Sequence, residues 1–123
     1  LEKNGDGFKI IVSSYQDEQR KRFAIAQELG HLFLHMGYKT NAEIWEKQAD
    51  KVPFQEKDPE KVRQANEFAA ALLMPRYIFF LTLEAASDIA ESGKRTIHMQ
   101  AVADFFNVSL SAAYTRAKIF GII

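Results

Sequence analysis

The chain has 123 residues, of which 16 are Lys or Arg and 16 are Asp or Glu, so its formal net charge is zero. That balance argues against a large polyanion-binding surface, and no cysteine is present to form a disulfide or a thiolate-built zinc site. With neither a signal-like segment nor a long apolar run, the expected setting is the cytoplasm, with no membrane partner.

The length predicts a single domain over residues 1–123 with one core. A start at Leu1 rather than Met suggests a trimmed or processed chain that lacks upstream elements. Gly5-Asp6-Gly7 is a turn, and the β-branched run Phe8 to Ser13 is the only good strand candidate. A helix is expected from Glu18 to Met36, stopped by Gly37. Its apolar residues (Phe23, Ile25, Ala26, Leu29, Leu32, Phe33, Leu34 and Met36) cover most of the circumference, so it should be central and largely buried. A short helix is expected near 42–49, with Trp45 as the anchor of its loop.

Asp58-Pro59 starts a further helix that runs to Leu73, and Met74-Pro75 breaks it. The next helix is expected over 76–91, followed by a turn at 93–96. Two short helices, 97–106 and 109–120, close the chain as a hairpin, with Gly121 ending the last. The fold class is therefore α+β, mainly α, with a small β element. Tyr77, Phe79, Phe80, Leu81 and Leu83 form a dense apolar run, most simply core, although the run would also suit a partner surface.

The long first helix carries a polar stripe. Glu28, His31 and His35 stand at i, i+3 and i+7, and Gln27 lies four residues before His31, so all four share a face. Leaving such groups unpaired in a buried setting costs roughly 1–3 kcal/mol each, so a wet cleft, a polar network or a metal must meet them. Gln27-Glu28-Leu29-Gly30-His31 reads as the zinc-peptidase signature H-E-x-x-H with glutamine in the first histidine's place. In that signature two histidines four apart hold the metal and the glutamate activates a water.

Two longer motifs extend the match. Arg22 to His35 resembles the active-site helix R-F-T-x-A-H-E-L-G-H-x-x-L-H of the ImmA/IrrE metallo-endopeptidases. Gln64-Ala65-Asn66-Glu67-Phe68-Ala69-Ala70-Ala71-Leu72-Leu73-Met74-Pro75 is similar to that family's second motif, and Val102 to Gly121 to its closing helices. The resemblance implies a zincin-like, gluzincin-type hydrolase fold. It also implies a bacterial or phage mobile-element setting, and a helix-turn-helix repressor as protein partner.

In intact members, zinc polarises the scissile carbonyl while the glutamate deprotonates the bound water. Carried over by position, that general base is Glu28, and the ligand positions fall on Gln27, His31 and Val62. Only His31 is a good ligand there. His35 and Asn66 become candidate supporting residues, with His31 and His35 as an alternative metal pair.

At about 100° per residue, Glu60 and Glu67 point roughly 200° and 140° away from Val62. Neither replaces the lost carboxylate, and Val62 itself falls in the apolar stripe of Ala65, Ala69, Leu72 and Leu73. The expectation is therefore a pseudoenzyme in which zinc is absent or weakly bound and a repressor-type partner is engaged without cleavage. An active zinc endopeptidase is the alternative. A third possibility is DNA binding by the helix-turn-helix-like segment, whose last helix offers Tyr114, Arg116 and Lys118 as contacts. Neutral charge and the lack of a basic cluster weigh against it, so direct nucleic-acid binding is not expected.

Overall fold

A computed structural model describes residues 1–123, and the chain divides into two compact units, Leu1–Ala69 and Ala70–Ile123. Helices predominate, with two small antiparallel hairpins, so the class is α+β and mainly α. No single helix is long and apolar enough to cross a membrane.

In the first unit, β1 (Glu2–Asn4) pairs with β2 (Gly7–Lys9) around Gly5, whose φ is +62°. The expected strand over 8–13 is therefore corrected. Its ladder stops at Lys9, which pairs with Glu2, and no strand lies opposite Ile10 to Ser13. The outer edge of β1 is occupied by a loop: Lys51 N–H donates to the Lys3 carbonyl and Phe54 N–H to that of Leu1, both at 2.7 Å.

Helix α1 (Glu18–Leu34) starts where the Asp17 carboxylate accepts from Arg20 N–H at 2.8 Å, a side-chain N-cap. It ends at Leu34, two residues short of the expected Met36; His35 is its C-cap, and Gly37 turns the chain at φ +79°. The helix is less buried than its composition implies. Ala26, Gly30, His31 and Leu32 are inside, but Ile25 and Leu34 are exposed. Only a hairpin, the short α2 (Ala42–Glu46) and α3 (Pro59–Leu73) are available in this unit to cover it. Trp45 anchors α2: its ring meets Tyr38 edge-on at 5.1 Å, and the Lys3 ammonium sits 4.9 Å above it.

Close approach of α1 and α3 depends on Gly30. A Cβ there would lie 3.1 Å from the Cα and carbonyl oxygen of Ala65 and from the Cβ of Phe68. Gly30→Leu should therefore force the helices apart and cost about 3 kcal/mol by overpacking, measured by urea denaturation. Gly30→Ala should cost less, because helix propensity returns about 1 kcal/mol.

In the second unit, α4 (Arg76–Ala85) follows Pro75 and is shorter than the expected 76–91. The Ser87 hydroxyl donates back to the Leu83 carbonyl, and the chain then turns into β3 (Ser87–Ile89), paired with β4 (Arg95–Ile97). Helices α5 (Met99–Phe106) and α6 (Leu110–Ile119) follow, joined by Asn107 at φ +53° and capped by the Ser109 hydroxyl, which accepts from Ala112 N–H at 3.1 Å. The core holds Met74, Phe79, Leu83, Val102, Phe106, Val108, Ala113 and Ala117. Phe79 stacks on Phe106 with centroids 5.7 Å apart.

Two sequence expectations fail in this unit. Of the apolar run 77–83, only Phe79 and Leu83 are buried, while Tyr77, Phe80 and Leu81 are exposed. Arg116, offered as a nucleic-acid contact, is buried; its Nε donates to the Met74 carbonyl at 3.1 Å and its guanidinium lies 4.4 Å from the Phe120 ring. Tyr114 and Lys118 stay exposed. With its arginine turned inward, α6 keeps one cation of the two proposed for a groove.

Candidate functional site

The polar stripe of α1 meets α3 through two side-chain bridges. Gln27 donates its Nε2–H to the Asn66 Oδ1 at 2.7 Å. One turn further along, His31 Nδ1 lies 2.8 Å from His35 Nδ1, and His35 Nε2 lies 2.9 Å from the Gln64 Oε1. An amide oxygen only accepts, so His35 Nε2 is the donor to Gln64. Neutral His35 then accepts at Nδ1 from His31 Nδ1–H, which leaves the lone pair of His31 on Nε2.

The surroundings of His31 favour its neutral form. The residue is buried, 6% exposed, with the Phe54 ring 5.5 Å away. Burial pushes its pKa below 6.5 and His35 pushes it further, while Glu28 and Glu56 oppose the shift. The sign for stability follows directly. The unfolded chain takes up a proton near pH 6.5 that the folded chain refuses, so stability rises with pH between the lowered folded value and the unfolded one. Melting temperature should therefore fall as pH drops from about 7.5 to about 5, with a smaller fall in His31→Asn. Parallel thermal melts of the two proteins check this.

Val62 is half-buried on α3, one turn before Asn66 and on the same side of the helix. Ala65 and Ala69 are buried as expected of an apolar stripe, but Leu72 is exposed. Glu60 and Glu67 both pair with Arg63 on the surface. Glu28 is half-buried beside His31.

A zinc ion of the H-E-x-x-H type needs three donors from the protein and an open fourth position. Here the residues do not fit it. His31 Nε2 offers one imidazole lone pair, Gln27, whose Nε2–H donates to Asn66, has only a neutral amide oxygen in place of an imidazole, and Val62 has no donor atom. No group of three His, Cys, Asp or Glu side chains is arranged to hold a metal ion. What the arrangement does provide is a hydrogen-bonded cross-link between α1 and α3.

Gln64, Phe54 and Glu56 join the site without having been singled out from sequence. Gln64 lay within a quoted motif but carried no assigned role, and Phe54 and Glu56 sit in a loop whose placement depends on its bonds to β1. No local signal in the sequence marks those two.

No curated protein and no solved structure matches the chain. A family model does: that of the IrrE N-terminal-like domain, which matches residues 5–118. The match takes in the stripe-bearing α1, the whole of α3 and nearly all of α6, and with it the chain belongs to the IrrE N-terminal-like family of metallopeptidase-fold domains.

Proposed function

We propose that this chain is a regulatory member of its family that engages a repressor-type protein without cutting it. One observation carries the reading. The residue at the first ligand position, Gln27, donates its amide N–H to Asn66 and has only a neutral amide oxygen where an imidazole would stand, while the third position is a valine. Glu28 is retained, but its task in an intact site is to deprotonate a metal-bound water with a pKa of about 7, against about 15.7 for bulk water. Lacking a three-donor cage, Glu28 has no acidified water to act on.

The retention of Glu28 beside a histidine whose Nε2 lone pair is free favours a second reading, an active endopeptidase. A cytoplasmic bacterial or phage setting belongs to both. The two separate on one experiment, incubation of the purified chain with a helix-turn-helix repressor from the same genetic element. The proposed reading expects a complex, an uncut repressor, and unchanged binding in Glu28→Gln. Cleavage products that disappear in Glu28→Gln would establish the second reading.

A further inference from the structure

The first hairpin holds a reactive dipeptide. Of the four asparagines in the chain, only Asn4 is followed by glycine. Asn4 pairs with Gly7, so Gly5-Asp6 is a two-residue loop, and a positive φ at Gly5 but not at Asp6 gives it the II′ form. Asn4 is exposed at the end of β1. Nothing lies within 4 Å of where a Cβ on Gly5 would stand, so the Asn4 carboxamide has room to swing over the Gly5 nitrogen.

The chemistry open to such a pair is ring closure. The Gly5 nitrogen loses its proton to solvent base and attacks Asn4 Cγ; the Cγ–Nδ2 bond breaks and ammonia leaves. Water then opens the five-membered imide at one of its two carbonyls and leaves an aspartate or an isoaspartate at position 4. Glycine favours the closure, because it has no side chain to shield its nitrogen and the least restricted backbone.

One contact opposes this reaction. The Gly5 N–H that must be lost donates to Asp50 Oδ1 at 2.8 Å. A carboxylate acceptor stabilises that N–H and repels the nitrogen anion that ring closure requires. Asp50 is held in place by the loop behind it, which is bonded to β1 through Lys51 and Phe54.

We infer that Asn4 is a site of spontaneous deamidation that Asp50 holds in check, and that its conversion loosens the 50–54 loop from the hairpin. Conversion adds a negative charge to a chain of formal net charge zero, beside the one residue whose N–H holds Asp50. Isoaspartate also lengthens the backbone by one carbon where Asn4 stands in register with Gly7. Both effects weaken the seat of a loop whose Phe54 ring lies 5.5 Å from that of His31. This inference goes beyond the proposed regulatory reading and does not rest on it.

The test is incubation of the full chain in mildly alkaline buffer, followed by ion exchange and by mass spectrometry of the peptide that carries position 4. Asp6-Gly7 closes a similar ring, but its opening restores the original mass, so the gain of roughly one mass unit reports Asn4 alone. Conversion in the wild type should be at least about tenfold slower than in the free peptide of residues 1–9, and about tenfold faster in Asp50→Ala than in the wild type, the factor that one charge-assisted hydrogen bond supplies. Asp50→Asn, which keeps a neutral acceptor, should fall between them. All chains are compared well below their melting temperatures, and Asp50→Asn decides if Asp50→Ala does not fold. Asn4→Gln, which would need a larger ring, should not gain mass. In the purified modified chain, the Lys51 and Phe54 amides should exchange their hydrogens faster than in the unmodified one.

A wild type that converts as fast as the peptide would overturn the inference, as would Asp50 variants no faster than the wild type. A mass gain that persists in Asn4→Gln would do the same, and so would unchanged exchange at Lys51 and Phe54 after conversion.

Discussion

Zinc binding is expected to appear when the two substituted positions are refilled. Gln27→His with Val62→Glu places two imidazoles one turn apart on α1 and a carboxylate on the side of α3 that meets it. The geometry supports this because Asn66, one turn beyond Val62, already reaches Gln27. The change removes the Gln27–Asn66 hydrogen bond, a loss of about 1 kcal/mol, so the metal-free double variant should melt slightly below the wild type. Added zinc should more than offset that loss, since saturation at about a hundred times the dissociation constant contributes about 2.7 kcal/mol. The measurement is zinc content after dialysis, together with melting temperature in zinc and in chelator. About one zinc per chain is expected for the double variant. Gln27→Ala with Val62→Glu, lacking one imidazole, should retain much less.

Phe79→Ala is expected to have the largest effect on stability. Phe79 is fully buried between Phe106 and Phe120, with ring centroids 5.7 and 5.8 Å away. Truncating a phenylalanine in such a place costs about 3–5 kcal/mol, as lost burial and an unfilled cavity. The second unit ends at residue 123 and starts at residue 70, and a fold of that size has only a few kcal/mol in hand at about 0.05–0.15 kcal/mol per residue. The variant should therefore lose the ordered aromatic environment of that unit, read as collapse of the near-ultraviolet circular dichroism. Wild-type-like spectra and an unchanged urea midpoint would contradict the packing described here.

Helix boundaries were legible in the sequence wherever a residue acts locally. Gly37 turns the chain just after α1, Pro59 opens α3, and Met74-Pro75 separates α3 from α4. The second hairpin was not legible, because strands of three residues give too short an alternation to stand out from the helical pattern before them. Burial was misjudged on α1 and α4 for one reason. An apolar circumference signals a buried helix only when enough neighbours exist to cover it. Arg116 was misplaced because arginine reads as surface, whereas here a carbonyl and an aromatic ring receive it.

The positions of the stripe could be read from sequence, but the bonds that define its present state could not. Gln27 and Asn66 are 39 residues apart, and His35 and Gln64 are 29 apart. Nothing local indicates that these side chains meet. Those two bridges turn a stripe with a missing ligand into a closed polar contact between α1 and α3.

The most direct test of the central claim is elemental analysis of the wild-type chain purified without chelator, paired with melting curves with and without added zinc. The account predicts zinc far below one ion per chain and a melting temperature that zinc does not raise. Stoichiometric zinc that stabilises the fold would contradict it.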